Sequence, residues 1–201
     1  MQEFEAAPAL DNTRVPVQVD DTSIAYLEDA GYADDKDKLD VYQPSEAAGA
    51  PVFVFIHGGG LLQGDKDQQG HVGRFFAEHG FVTVCISHRL SPLVSHPAHA
   101  EDAAAALRWV AENISDYGGD PLRIAVGGHS AGAYLAALVA LDPRYLRDAG
   151  SSVDVIQALV PISGFFWVER LAPSRPKTVW GEDEADWREA SPGRYVSRDS
   201  P

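Results

Sequence analysis

The feature that most constrains this chain is the pentapeptide Gly128-His129-Ser130-Ala131-Gly132. It lies between a short apolar run at residues 124–126 and an alanine- and leucine-rich run that ends near residue 141. The first run predicts a buried strand and the second predicts a helix. A serine on a sharp turn from strand to helix needs neighbours without side chains, and the two glycines meet that need.

Such a turn would lift the Ser130 hydroxyl above the edge of a sheet. It would also place the Ala131 amide at a helix N-terminus, where negative charge is favoured. A glycine-rich turn with an incidental serine is the alternative, and the flanking strand and helix argue against it. Ser130 is therefore a candidate nucleophile.

A second glycine cluster, Gly58-Gly59-Gly60, follows His57 and the apolar run at residues 52–56. A continuous apolar run predicts a strand that is buried on both faces. Three glycines at its end let backbone N–H groups point into a site without obstruction by side chains. Together with the Ala131 amide, these donors could bind the oxyanion of an acyl-transfer intermediate. Taken alone, the triplet is equally compatible with a flexible loop.

These two clusters resemble the motifs of the α/β-hydrolase superfamily, in the carboxylesterase branch that carries His-Gly-Gly-Gly. That branch includes hormone-sensitive-lipase-like and feruloyl-esterase-like enzymes, with kynurenine formamidases nearby. Three further stretches match in the family's order: Leu39-Asp40-Val41-Tyr42-Gln43-Pro44, Arg89-Leu90-Ser91-Pro92 and Tyr117-Gly118-Gly119-Asp120-Pro121. The resemblance covers roughly residues 20–162.

The resemblance implies that Ser130 is the nucleophile and that Gly59, Gly60 and Ala131 donate to the oxyanion, with Gly58 as a further candidate. It implies a carboxylic-ester hydrolase that forms an acyl-enzyme intermediate on a small-molecule ester. No cofactor is implied, and no metal site is expected because the sequence has no clustered Cys/His ligand set. An aryl-formamidase or amidase of the same fold is one alternative, and a noncatalytic ligand-binding relative is the other.

A serine nucleophile needs a base, which in this superfamily is a histidine that follows the serine and an acid. The seven histidines are His57, His71, His79, His88, His96, His99 and His129, and all of them precede Ser130. Asp183 and Asp186 follow Ser130 but fall in an expected cap segment, so the acid and the base are left unassigned.

Three explanations remain for the missing histidine. The simplest is a hydrolase that is incomplete on its C-terminal side, which would hydrolyse esters almost undetectably and expose an unpaired sheet edge. The second is a noncatalytic relative. The third takes the base from upstream, and its candidates are His57, His88, His96 and His99.

Composition places bounds on the other function classes. A length of 201 residues suits one domain, and the net charge of −14 argues against nucleic acid and anionic membranes as partners. No signal peptide is recognisable and no apolar run approaches 18 residues, so the cytoplasm is the expected compartment. Cys85, the single cysteine, is expected in the core. The oligomeric state is left open.

The alternation of predicted strands and helices implies a mainly parallel sheet with helices on both faces. The resemblance implies that this is an α/β-hydrolase fold, incomplete at the C-terminal side. The domain is expected over residues 21–201, after a loose arm at 1–20, and residues 163–191 are expected to form a cap. The other expected elements are strands at 24–28, 39–42, 81–87 and 158–162 and helices at 68–79 and 98–114. In the first of these helices Val72, Phe75 and Phe76 are expected to face inward.

Overall fold

A computed structural model describes residues 14–27, 36–198 and 200–201, and its strands pair into one sheet. In chain order the strands are β1 (Val17–Ala25), β2 (Lys38–Pro44), β3 (Ala50–Ile56), β4 (Val82–Ile86), β5 (Gly119–His129) and β6 (Ile156–Ile162). Their spatial order is β1-β2-β4-β3-β5-β6. The last four run parallel, whereas β2 is antiparallel to β4 and β1 is antiparallel to β2. The predicted fold class, a mainly parallel sheet in an α/β arrangement, is confirmed.

Seven α-helices lie within the described residues. They are α1 (Gly70–Glu78), α2 (Ala98–Asn113), α3 (Ala131–Leu141), α4 (Pro143–Asp148), α5 (Val168–Leu171), α6 (Lys177–Trp180) and α7 (Glu184–Glu189). No helix in these ranges has both the length and the apolar character that crossing a bilayer requires.

The central strand β3 alternates its side chains between two cores. Val52, Val54 and Ile56 are buried in the larger core, with residues of α2 and α3, while Phe53 and Phe55 are buried in a smaller one beside α1. Because successive side chains of a strand point to opposite faces, a run that is apolar at every position requires a cover on both sides. The helices on both faces supply it.

Helix α2 agrees closely with its prediction over residues 98–114. Its apolar stripe is completely buried and comprises Ala100, Ala103, Leu107 and Val110, continued by Ile114 just past the helix. The stripe follows the spacing of one face of a 3.6-residue helix. The single thiol, that of Cys85, is likewise buried as predicted.

The prediction for α1 was wrong at one position. Phe75 is 51% exposed, whereas Val72 and Phe76 pack against the smaller core as predicted. The two inward residues are four apart and share a face, but Phe75 is turned about 100° away from Phe76. The helix also begins later than expected, at Gly70, because residues 66–69 form a 3-10 turn.

The predicted N-terminal arm was also partly wrong. Strand β1 starts at Val17 and pairs with β2, so residues 17–20 belong to the sheet and not to a loose arm. Residues 1–13 of the arm and Glu28 of the predicted strand at 24–28 lie outside the described residues. Pairing to a neighbouring strand is a tertiary contribution that the weak local pattern of residues 14–20 did not reveal.

Two aromatic residues of segment 163–191, Phe165 and Trp180, pack onto Tyr134 of helix α3. Phe165 stacks on Tyr134 with 4.7 Å between ring centroids, and the Trp180 indole N–H donates to the Tyr134 hydroxyl at 3.2 Å. Neither aromatic residue lines the cleft beside Ser130. These contacts indicate anchoring of the segment. Its role as a cap stays a prediction.

Candidate active site

Ser130 sits on the turn that joins β5 to α3, as the sequence predicts. Its backbone has φ 54° and ψ −114°, a conformation that residues other than glycine rarely adopt. Strain of this kind costs about 1–3 kcal/mol and persists only where the surroundings enforce it. Here α3 starts directly against the neighbouring strand, since a Cβ placed on Gly132 would lie 2.0 Å from the Ile56 carbonyl oxygen.

The hydrogen bonds of the turn involve only the Ser130 backbone. The Ser130 N–H donates to the Ile162 carbonyl at 2.9 Å, and the Tyr134 N–H donates to the Ser130 carbonyl at 3.1 Å. Among the described residues, no side chain is within hydrogen-bonding distance of the Ser130 hydroxyl. The hydroxyl therefore lacks a base in this arrangement.

The strain at Ser130 can be measured by comparing two substitutions. We expect Ser130→Gly to be more stable than Ser130→Ala by about 1 kcal/mol, because glycine relieves the strain while losing roughly 0.4–1 kcal/mol to chain entropy. Urea unfolding of the two variants gives the difference. At Ser115, an exposed position in a 3-10 helix, the order should reverse. Equal stability of the two Ser130 variants would contradict enforced strain.

The glycine loop after β3 packs beside the serine. A Cβ on Gly58 would lie 3.4 Å from the Ser130 Cβ and 3.2 Å from the His129 Nδ1, so the two motifs meet in space. The loop is closed by Gly59, whose carbonyl accepts from the Leu62 and Gln63 amides at 3.2 Å each. Gly59 has φ 125°, and a Cβ there would be 1.9 Å from the Gln63 carbonyl oxygen. Only glycine fits at position 59 of this loop.

A cleft of about 1040 Å³ opens between the two motifs. Ser130 and all three glycines line it, with an apolar wall formed by Phe55, Leu62, Val72, Phe76 and Ile162. The polar lining consists of Gln63, Gln68, Gln69, His71, His129 and Arg175. A cleft with an apolar wall and few polar groups is typical of a site for small organic molecules.

His57 supports the glycine loop from beneath. Its ring is fully buried, its Nδ1 lies 2.7 Å from the Gly58 carbonyl oxygen, and it stacks on His88 with 4.4 Å between centroids. Burial lowers the pKa of His57, and burial together with the neighbouring His57 lowers the pKa of His88 well below its usual range. Both rings are therefore neutral near pH 7, and the His57 Nδ1–H donates to Gly58.

The other two candidate upstream bases are engaged elsewhere. The His99 Nε2 is 3.2 Å from the Ser91 hydroxyl, and the His96 Nε2 is 3.4 Å from the Tyr145 hydroxyl. Burial lowers the pKa of each to about 4. None of the four upstream candidates bonds to the Ser130 hydroxyl, so no contact supports the third explanation for the missing base.

Sequence reasoning missed two polar features, an ion pair at the start of α2 and an arginine at the cleft. Arg89 holds Asp102 through two nitrogens, with the Nη2 2.7 Å from Oδ1, and this pair ties the connection after β4 to α2. Arg175 lines the cleft next to Gly60. Nothing local links Arg175 to a glycine 115 residues upstream.

The described residues contain no group of three or more His, Cys, Asp or Glu side chains placed to hold a metal ion. The chemistry available at the cleft is that of a hydroxyl on a strained turn, backbone amides, a few polar side chains and the guanidinium of Arg175.

The fold and the serine turn define the class of this protein as an α/β-hydrolase. The BD-FAE family model matches residues 39–168, which is more than half of the chain, and the chain belongs to this family. The match includes the glycine loop, Ser130 and helix α3.

Relatives of this chain are named as esterases. The probable carboxylic ester hydrolase LipM of Mycobacterium tuberculosis is 35% identical over 171 residues, which are 76% of this chain and 39% of LipM. Carboxylesterase NlhH of the same species is 43% identical over 110 residues, covering 54% of this chain and 34% of NlhH. The chain thus spans about two fifths of the length of these curated relatives, or less.

Solved structures of esterases share the fold. Esterase B from Lactobacillus rhamnosis, in an inhibited form, has a TM-score of 0.75 at 25% identity, covering 94% of this chain and 66% of that one. Thermogutta terrifontis esterase 2 phosphonylated by cyclosarin has a TM-score of 0.70 at 24% identity, covering 93% and 68%.

Proposed function

We propose that Ser130 is the nucleophile of a carboxylic-ester hydrolase that works through an acyl-enzyme intermediate. The Ser130 oxygen attacks the ester carbonyl carbon, the alcohol departs with a proton, and water then releases the acid and restores the hydroxyl. One observation carries the proposal: Ser130 is held at φ 54° between β5 and α3, facing a cleft that it shares with the glycine loop. The names of the relatives support the same reaction class.

Backbone amides of Gly59, Gly60 and Ala131 are the proposed oxyanion donors. Gly58 to Gly60 line the cleft with Ser130, and Ala131 begins α3, whose N-terminus favours negative charge. One donor of this kind typically contributes about 10²–10³-fold in kcat. Gly59 must be glycine because a Cβ there would meet the Gln63 carbonyl oxygen, and the lack of side chains in the loop also leaves its backbone amides uncovered.

We further propose that residues 1–201 do not supply the general base. Every histidine precedes Ser130, and the described ones bond to other groups or line the cleft without reaching the hydroxyl. The same observation keeps a noncatalytic, ligand-binding role as the second candidate. An aryl-formamidase would use the same serine and amides, so it also stays a prediction.

Chemical rescue by imidazole tests the proposal. We expect imidazole to accelerate acetylation of Ser130 by p-nitrophenyl acetate in the 201-residue protein, because the free base replaces the one that is missing. Peptide mapping by mass spectrometry locates the acetyl group, and the rate should rise with imidazole concentration.

Ser130→Ala at the same imidazole concentrations corrects for uncatalysed ester cleavage, and Ser152→Ala removes an exposed serine far along the chain. Acetylation at Ser130 in the parent and in Ser152→Ala supports the nucleophile. Failure of Ser130 to react at any imidazole concentration would favour the noncatalytic role.

A further inference from the structure

Arg175 is the only Arg, Lys, Asp or Glu among the described residues that line the Ser130 cleft. Its Nη1 lies 3.5 Å from the position that a Cβ would take on Gly60, one of the proposed oxyanion glycines. A full positive charge is therefore adjacent to the place where a substrate carbonyl would lie. No Asp or Glu of the described lining is present to pair with this charge, and no Lys or second Arg adds to it.

The guanidinium of Arg175 has no carboxylate partner among the described residues, although acids outnumber Lys and Arg in the sequence by 30 to 16. Two arginines nearby in the chain do have such partners, since Arg188 pairs with Glu184 and Arg194 pairs with Glu169 at 2.5 Å. Arg170, by contrast, lies over the Trp167 ring. An unpaired arginine in an acidic protein is free to bind an anion from solution.

The backbone conformation fixes the position from which the Arg175 side chain extends. The Arg175 N–H donates to the Ala172 carbonyl at 3.0 Å, and Arg175 adopts φ −113° and ψ 160°. Pro176 follows it, and a proline restricts the preceding residue to this extended region. The side chain therefore starts from a defined point at the cleft, although its guanidinium remains exposed.

We propose that Arg175 selects substrates that carry a carboxylate a few atoms from the ester group, such as monoesters of dicarboxylic acids. The guanidinium binds the two carboxylate oxygens through paired N–H donors. The apolar wall of Phe55, Leu62 and Val72 would accommodate the carbon chain. Selection of a substrate by Arg175 rests on the proposed function, whereas binding of the anion by Arg175 does not.

Equilibrium binding to two esters of the same shape tests this recognition. Monoethyl succinate carries a carboxylate where ethyl 4-methylpentanoate carries an isopropyl group. In the Ser130→Ala background, which prevents acylation of the serine, we expect the anionic ester to bind about three- to tenfold more tightly, as for a partly exposed charged hydrogen bond. Added salt should reduce the preference. Titration calorimetry measures both constants.

Three further variants locate the effect. Arg175→Gln should bring the affinity ratio close to one, and Arg175→Lys should keep part of the preference. Arg123→Gln should leave it unchanged, because Arg123 is exposed in the first half of β5, away from the end of the strand that borders the cleft. No preference in the parent, or an undiminished preference in Arg175→Gln, would overturn the inference. If the preference is present but Ser130 of the otherwise unchanged protein is not acetylated in the imidazole experiment, only the proposed hydrolysis is contradicted.

Discussion

The purified 201-residue protein is expected to hydrolyse p-nitrophenyl acetate with a kcat on the order of 10⁶-fold below that of a serine hydrolase with a complete triad. This is the loss seen when the histidine of such a triad is removed. The Ser130 hydroxyl has no hydrogen-bonding base among the described residues, so little of it is activated for attack. The proposed oxyanion donors would still act without a base, which leaves roughly 10³–10⁴-fold over water.

A steady-state assay at pH 7 without imidazole measures this directly, with Ser130→Ala as the reference. The parent and the variant should release p-nitrophenol at nearly the same low rate. Rapid turnover by the parent that disappears in Ser130→Ala would show that a base is present within residues 1–201. The upstream histidines would then need to be reconsidered.

The variant Gly132→Ala is expected to lower the free energy of unfolding by about 3 kcal/mol. The new Cβ would lie 2.0 Å from the Ile56 carbonyl oxygen and 2.6 Å from that of His57. Both are backbone atoms of the central strand and its end, so relief requires α3 to move away from β3. Overpacking of this kind costs roughly 1–3 kcal/mol or more, which outweighs the gain of about 1 kcal/mol in helix propensity.

Gly70→Ala is a matched control at the start of α1, where φ is −55°. There the nearest atom to a new Cβ is the Tyr42 hydroxyl at 3.2 Å, the end of a side chain that can shift. Its stability should change by no more than roughly 1 kcal/mol. Urea unfolding compares the two variants with the parent, and equal stabilities would show that the approach of α3 to β3 is not tight.

Most of the fold was predictable because local pattern and tertiary role agree. The apolar run at 52–56 had to be a strand covered on both faces, and the stripe of α2 from Ala100 to Val110 had to face a core. Predictions were wrong where the local pattern was weak or ambiguous. Strand β1 begins at Val17 only because β2 is there to pair with it, and Phe75 is apolar yet lies off the buried face of α1.

Some residues of the candidate site were likewise predictable from the sequence, and others were not. Ser130 and the glycine triplet were identifiable because a strained turn and a close loop each require glycine at fixed positions in the sequence. Their proximity was an inference until the sheet placed β3 beside β5. Arg175 escaped notice because an arginine in a polar segment has no local pattern that marks it as part of a cleft.

The sequence by itself determined the strand–serine–helix unit, the glycine loop and the doubly covered sheet, since each follows from steric demands and apolar periodicity between near neighbours. It also determined that every histidine precedes Ser130. Only the tertiary structure decided which of those histidines are buried and already bonded, and which cation faces the cleft. Those properties depend on contacts between residues far apart in the chain, because burial and charge pairing arise only when the elements pack together.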